Sequence, residues 1–153
     1  MIADPHEEAR NRHCTVVAIE GTGILIEGPS GSGKTSLALG LVDAARRRGC
    51  LADFITDDQA LLFVTQSGIM AQAPAAIAGL AEVRGHGIAE VNHQSACFVG
   101  LVARLREDSE IERMPEPERT KLLGSEIAAV DVPVRHEAQA IRIILARLGI
   151  PLV

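Results

Sequence analysis

Residues 28–35 read Gly-Pro-Ser-Gly-Ser-Gly-Lys-Thr, a spacing that suits a chain of phosphates. Glycines let backbone N–H groups curl around phosphate oxygens where a Cβ would clash, and the N-terminus of a following helix adds partial positive charge. On this pattern Gly28, Pro29, Ser30, Gly31, Ser32, Gly33, Lys34 and Thr35 form a nucleotide-binding loop. Lys34 is placed to reach the β and γ phosphates, and the Thr35 hydroxyl to ligate Mg²⁺.

A second chemical pattern lies at Asp57-Asp58, which closes the apolar run 52–56. A carboxylate at the C-terminal end of a strand beside such a loop points at the metal and the γ-phosphate. Adjacent strand residues face opposite ways, so one of the pair is expected to face the phosphate and the other to orient it or serve the loop.

These residues need elements to hold them. Residues 15–19 are β-branched and apolar, residues 20–23 (Glu-Gly-Thr-Gly) turn, and 24–27 lead into the loop, which predicts a hairpin that delivers the chain to the phosphate. The helix that begins at Gly33 should end at Arg46-Arg47-Arg48 and Gly49: the arginines complement the macrodipole and the glycine caps. That basic run therefore reads as a helix end rather than a binding patch. Strands are expected at 52–56, at 60–65 and 69–72 around Ser67-Gly68, and at 96–105 and 127–134. Residues 71–79 read as a loop interrupted by Pro74, and 81–91 as a strand turned sharply by the glycines flanking His86. The charged stretch 107–121, with Pro115 and Pro117, reads as a surface excursion. Ile141, Ile144, Leu145 and Leu148 recur at helical spacing, with Gly149 and Pro151 marking the stop. Helices and strands do not alternate as a doubly wound fold requires.

Composition narrows the class. At 153 residues one domain suffices, and a net charge of −5 with no Trp or Tyr argues against a nucleic-acid or acidic-membrane binder. Cys14, Cys50 and Cys97 have neither metal nor disulfide spacing and read as reduced, mostly buried thiols. With no basic-then-apolar leader and no long apolar run, the expectation is a cytoplasmic protein.

Taken together, His13, the phosphate loop, Ile55-Thr-Asp-Asp58, Glu82-Val-Arg-Gly-His-Gly-Ile88 and Val132-Pro-Val-Arg135 resemble the catalytic domain of the bacterial HPr kinase/phosphorylase family. The likeness is to the short alphaproteobacterial-type versions that lack an N-terminal domain. It implies an α/β fold, a P-loop-containing mixed-sheet domain similar to a phosphoenolpyruvate-carboxykinase-like core. Residues 1–12 are then expected to be a flexible N-terminus and 13–153 a single catalytic domain. The implied activity is ATP- and Mg²⁺-dependent phosphorylation of a serine on HPr, the phosphocarrier of the sugar phosphotransferase system, with phosphorolysis as the reverse reaction. His13 matches a residue that assists the catalytic acid/base, Asp57 the proton acceptor, Glu82 a Mg²⁺ ligand alongside Thr35, and Arg113 a catalytic arginine. Residues 81–90 match a region needed for both reactions, and residues 133–138 a segment tied to dephosphorylation. The family is also hexameric, which implies a homo-oligomer.

Three departures stand out. Thr35 replaces the usual Ser but keeps the hydroxyl; the helix after the loop is about two turns longer, as in the short versions; and residues 134–138 lack the P-G-R that usually follows the arginine, which bears on phosphorolysis. Two rivals remain on sequence alone. One is a small-metabolite or nucleotide kinase, for which residues 104–119 would be a thin arginine lid. The other is a non-catalytic nucleotide-binding regulatory module, which would need phosphate contacts but no general base.

Overall fold

The computed structural model describes residues 9–153. The expected hairpin is present: β2 (Thr15–Ile19) pairs antiparallel with β3 (Thr22–Glu27). Its turn places Glu20 at φ 50° and Gly21 at φ 77°, the two left-handed residues of a turn whose twist matches that of the strands. β3 then enters the phosphate loop, and α1 (Lys34–Arg47) leaves it.

Residues 10–12, within the stretch expected to be loose, form a short strand β1 (Arg10–Arg12) that pairs antiparallel with β5 (Ala60–Thr65). Residues 1–8 lie outside the described residues. β4 (Ala52–Thr56) runs antiparallel to β2, and β5 forms a hairpin with β6 (Gly68–Gln72). The glycine-flanked segment folds as a separate two-stranded hairpin of β7 (Leu80–Val83) and β8 (Gly87–Glu90).

β9 (Ala96–Arg106) is the seam of the molecule. Its start pairs with β6, and its second half lies parallel to β3 on one side and to β11 (Ser125–Pro133) on the other. The charged excursion contains a strand that was not expected, β10 (Glu118–Leu122), paired with β11. Leu123 at φ 47° and Gly124 at φ 83° make that hairpin tight, and Leu122 is buried beneath it. Its prolines, Pro115 and Pro117, precede the strand and so do not interrupt the ladder. The chain closes on α2 (Glu137–Arg147).

Both faces of the central strands are covered, which is why their sequences are almost continuously apolar. Val17, Ile19, Ile24, Ile26, Leu101 and Ala103 face the helices, while the alternate residues Val16, Ala18, Leu25 and Val102 line a second core on the other face. Against the first core α1 lays Leu37, Ala38, Leu41, Val42 and Ala45. Burying a Leu or Val side chain of this kind contributes roughly 1.5–3 kcal/mol. The arginine run is a helix terminus, as read: Arg46 pairs with Asp53 at 2.5 Å and bonds the Ala52 carbonyl at 2.7 Å, while Arg48 reaches the carbonyls of Pro151 and Leu152.

The pairing directions decide where chemistry can occur. β3 is parallel to β9 and β9 to β11, while β2 is antiparallel to both β3 and β4. The C-terminal ends of β3, β4, β9 and β11 therefore share one edge of the sheet with the N-terminal start of β2. Everything that follows β3 and β4, and everything that precedes β2, meets there.

Candidate active site

The phosphate loop is built as its composition requires. Gly31 and Gly33 take φ of 78° and 96°, a region that side chains with a Cβ avoid. A Cβ on Gly28 would lie 2.7 Å from Ser32 Oγ and 2.9 Å from Leu105. Ser32 N–H closes a turn onto the Pro29 carbonyl at 3.1 Å. Lys34, only 6% exposed, folds back to donate to the carbonyls of Gly28 and Pro29 at 3.1 and 3.2 Å. Ser32 Oγ is buried with no hydrogen-bond partner, an orphaned polar atom inside the loop. The first turn of α1 carries no acidic residue. No acidic side chain of the helix's own first turn offsets the positive end of its dipole, and the loop fits a bound phosphate chain.

The acid pair follows β4, and its two members have different surroundings. Asp57 is 6% exposed and accepts three hydrogen bonds: from Thr15 Oγ1 at 3.0 Å and Thr35 Oγ1 at 2.7 Å on one oxygen, and from the Glu82 backbone N–H at 3.0 Å on the other. It acts here purely as an acceptor. Asp58 sits in the left-handed region at φ 65°, a conformation that Asp tolerates better than most residues. This turn swings its carboxylate away from the helix to His13, whose Nε2 lies 2.5 Å from Asp58 Oδ1. Both partners of that pair remain about half exposed, at 50% and 62% for the side chains.

The family resemblance implies Asp57 as the proton acceptor, with His13 assisting the acid/base. The geometry instead joins His13 to Asp58 and gives Asp57 to the Thr35 hydroxyl. That the two acids would face different surroundings was expected; which one meets His13 was not legible, because it turns on one backbone dihedral and on donors from three distant segments. Thr15, unremarked in the sequence, is one of those donors. The signal that could have found it is its place two residues after His13, on the same side of an extended chain.

Glu82 sits on β7, whose backbone docks on Asp57. A cavity of about 280 Å³ beside it is lined by Asp57, Asp58, Gln59, Ile77, Leu80 and Ile88 among others. A second cavity, also about 280 Å³, adjoins the loop itself and is lined by Arg84, Arg135 and Glu137 together with Gly31, Ser32 and Gly33. Arg135 adopts φ 60° and pairs with Glu107 at 2.5 Å. Among the described residues no group of three or more His, Cys, Asp or Glu side chains stands together as a metal cage. Mg²⁺ bound with a nucleotide needs only one or two protein ligands, and Thr35 and Glu82 are of the oxygen type it prefers.

Arg113 lies apart from these groups. It is exposed in the connection between β9 and β10, and it lines neither cavity beside the loop. Its neighbours Ile111, Glu112, Pro115 and Glu116 surround a smaller cavity with Asp131 and Arg147. Two of the arginines that would serve a lid are engaged elsewhere: Arg104 bonds Asp131 at 2.7 Å and also pairs with Glu118, and Arg119 bonds the Glu126 carbonyl at 3.0 Å. Among the described residues no helix is long and apolar enough to cross a membrane.

The chain is 32% identical over 139 residues to an HPr kinase/phosphorylase of Leptothrix cholodnii, an alignment covering 83% of this chain and 41% of that protein. It is 27% identical over 145 residues to an HPr kinase/phosphorylase of Clostridium beijerinckii, covering 88% of this chain and 46% of the relative. The chain thus spans less than half the length of these curated relatives. In fold it is similar to the HPr(Ser) kinase/phosphatase from Coxiella burnetii, with a TM-score of 0.73 at 21% sequence identity over 92% of this chain and 99% of that one. The model of the HPr Serine kinase C-terminal domain matches residues 6–148, and the chain belongs to that family.

Proposed function

We propose that this chain is an ATP- and Mg²⁺-dependent protein kinase that phosphorylates a serine of the phosphocarrier HPr. The observation that carries this reading is the meeting, at one sheet edge, of a phosphate loop with a carboxylate–imidazole pair at 2.5 Å. A nucleotide-binding module needs the first but has no use for the second.

The roles follow from the surroundings of each group. A serine hydroxyl is a weak nucleophile near neutral pH and needs a base within hydrogen-bond reach. Asp58 is exposed and backed by His13, so it is the group available to take the serine proton as the oxygen bonds to the γ phosphorus and the bond from that phosphorus to ADP breaks. His13 stabilises and orients that carboxylate. Asp57, with three donors already on it, holds the Thr35 hydroxyl and the β7 backbone in place instead. Lys34 neutralises charge on the transferred group, since phosphoryl transfer depends mainly on positioning and electrostatics. Mg²⁺, held through Thr35 and Glu82, would supply further neutralisation of the phosphate oxygens. Arg113 is proposed to act only when its connection closes over the site or reaches a neighbouring subunit of the family's hexamer. Arg84 and Arg135, which line the cavity adjoining the loop, are suited to hold inorganic phosphate for the reverse reaction. The acidic charge of the chain and its relatives' named substrate support a cytoplasmic enzyme acting on a protein, without nucleic acid or membrane.

Incubation with ATP, Mg²⁺ and purified HPr, with phosphoserine read by mass spectrometry, tests the proposal. Lys34→Met serves as the control and is expected to abolish labelling. Intact ATP binding by the wild-type protein without any phosphoserine on HPr would overturn the reading.

A further inference from the structure

His13 and Thr15 are two residues apart at the entry to β2, and each reaches a different member of the acid pair. Thr15 is fully buried. Its hydroxyl donates to Asp57 Oδ1 at 3.0 Å and accepts the Asp58 backbone N–H at 3.2 Å. Among the described residues it is the side chain that hydrogen-bonds to both members of the acid pair, and it does so from β2, the strand paired with β4. Val17 and Ile19, on the same face of β2, pack under the helices, so the strand is anchored by core packing.

We propose that Thr15 is a positioning residue for phosphoryl transfer, a hydroxyl bridge that fixes the Asp57 carboxylate on Thr35 while holding Asp58 in its left-handed turn toward His13. This rests on the kinase reading above. The logic is geometric. Asp58 at φ 65° is an unfavoured backbone conformation for a residue with a Cβ, and the bond from its N–H to Thr15 helps hold it there. Without that bond the turn can relax, and the Asp58 carboxylate leaves the imidazole and the site where the serine proton must be received. With His13 two residues earlier, the start of β2 grips both carboxylates at once, and the distance between the base and the Thr35 hydroxyl is set by one strand rather than by two loops. Thr15 itself moves no proton.

Two variants separate the hydroxyl from the packing. Thr15→Val keeps the shape and removes the hydroxyl; Thr15→Ser keeps the hydroxyl and removes a methyl. The expected result is that Thr15→Val lowers kcat for HPr phosphorylation about tenfold or more with KM for ATP within about twofold, and that Thr15→Ser stays within about threefold of wild type. Exchange of the Asp58 amide hydrogen, followed by NMR without any acceptor protein, is expected to accelerate at least about tenfold in Thr15→Val and not in Thr15→Ser. Wild-type rates in Thr15→Val, or equal losses in both variants with unchanged melting temperatures, would overturn the bridge. Should wild type leave HPr unmodified, the kinase reading fails while the exchange measurement still decides whether Thr15 holds the Asp58 turn.

Discussion

Replacing each acid by its amide should affect stability unequally, with a clear loss at Asp57 and little at Asp58, where the loss falls on transfer instead. In Asp57→Asn the new side chain offers one acceptor oxygen where the carboxylate offered two. If the amide oxygen stays with the Thr15 and Thr35 hydroxyls, its NH₂ confronts the Glu82 N–H; if it flips, the hydroxyls lose their acceptor. Either way a donor in a region only 6% exposed at Asp57 is left unsatisfied, which costs about 1–3 kcal/mol. For a chain of this size each kcal/mol lowers Tm by roughly 2–4 °C, so a fall of about 4–8 °C is expected for a mid-range loss. Asp58→Asn keeps a residue that tolerates the left-handed turn and loses only a largely exposed pair with His13, worth about 0–1 kcal/mol. Its transfer rate, by contrast, should fall by about 10²–10⁴, the contribution of a general base. Urea unfolding and thermal melting of both variants, alongside the HPr assay, provide the comparison. Equal destabilisation of the two, or an Asp57→Asn protein as stable as wild type, would refute the division of roles drawn from the hydrogen bonds.

Three other outcomes are expected. His13→Ala should lower kcat about tenfold or more without changing ATP affinity, measured by steady-state kinetics and nucleotide titration, because the imidazole contacts Asp58 and not the loop. Gly23→Ala should destabilise the fold by about 1–3 kcal/mol in urea unfolding, since its Cβ would meet the Phe98 carbonyl of β9 at 2.6 Å and the neighbouring strand cannot yield as a side chain would. Burial pushes the thiols of Cys14 and Cys97 up from 9.0 to about 12. The folded state therefore retains these protons when the unfolded chain loses them: their contribution to stability is complete below about pH 9 and is lost as pH rises toward 12. Alkylation by iodoacetamide at mild alkaline pH should be slow at both cysteines in the native protein and fast after unfolding, as read by mass spectrometry.

Much of this molecule was legible in its sequence because the relevant physics is local. The phosphate loop is a contiguous segment whose glycines must take positive φ and whose helix starts within it, so residue order alone identifies it. The β2–β3 hairpin is declared by its turn, the end of α1 by arginines and glycine, and α2 by its spacing. These depend on neighbours a few residues away. The order of strands in the sheet, the parallel placement of β9 between β3 and β11, and β10 within a charged stretch were decided by pairing across tens of residues, where composition is a poor guide. The same is true of the acid pair. That Asp57-Asp58 belongs beside the loop followed from an apolar run ending in carboxylates, but which acid meets His13 did not. That choice rests on the left-handed turn at Asp58 and on donors from Thr15, Thr35 and Glu82, brought together only when β2, β4, α1 and β7 share one edge. Arg113 makes the converse point: the family resemblance matched it to a catalytic arginine, while in the folded chain it stands exposed on the connection between β9 and β10 and does not line the cavity beside the acids, because sequence position alone does not constrain where a long connection lies.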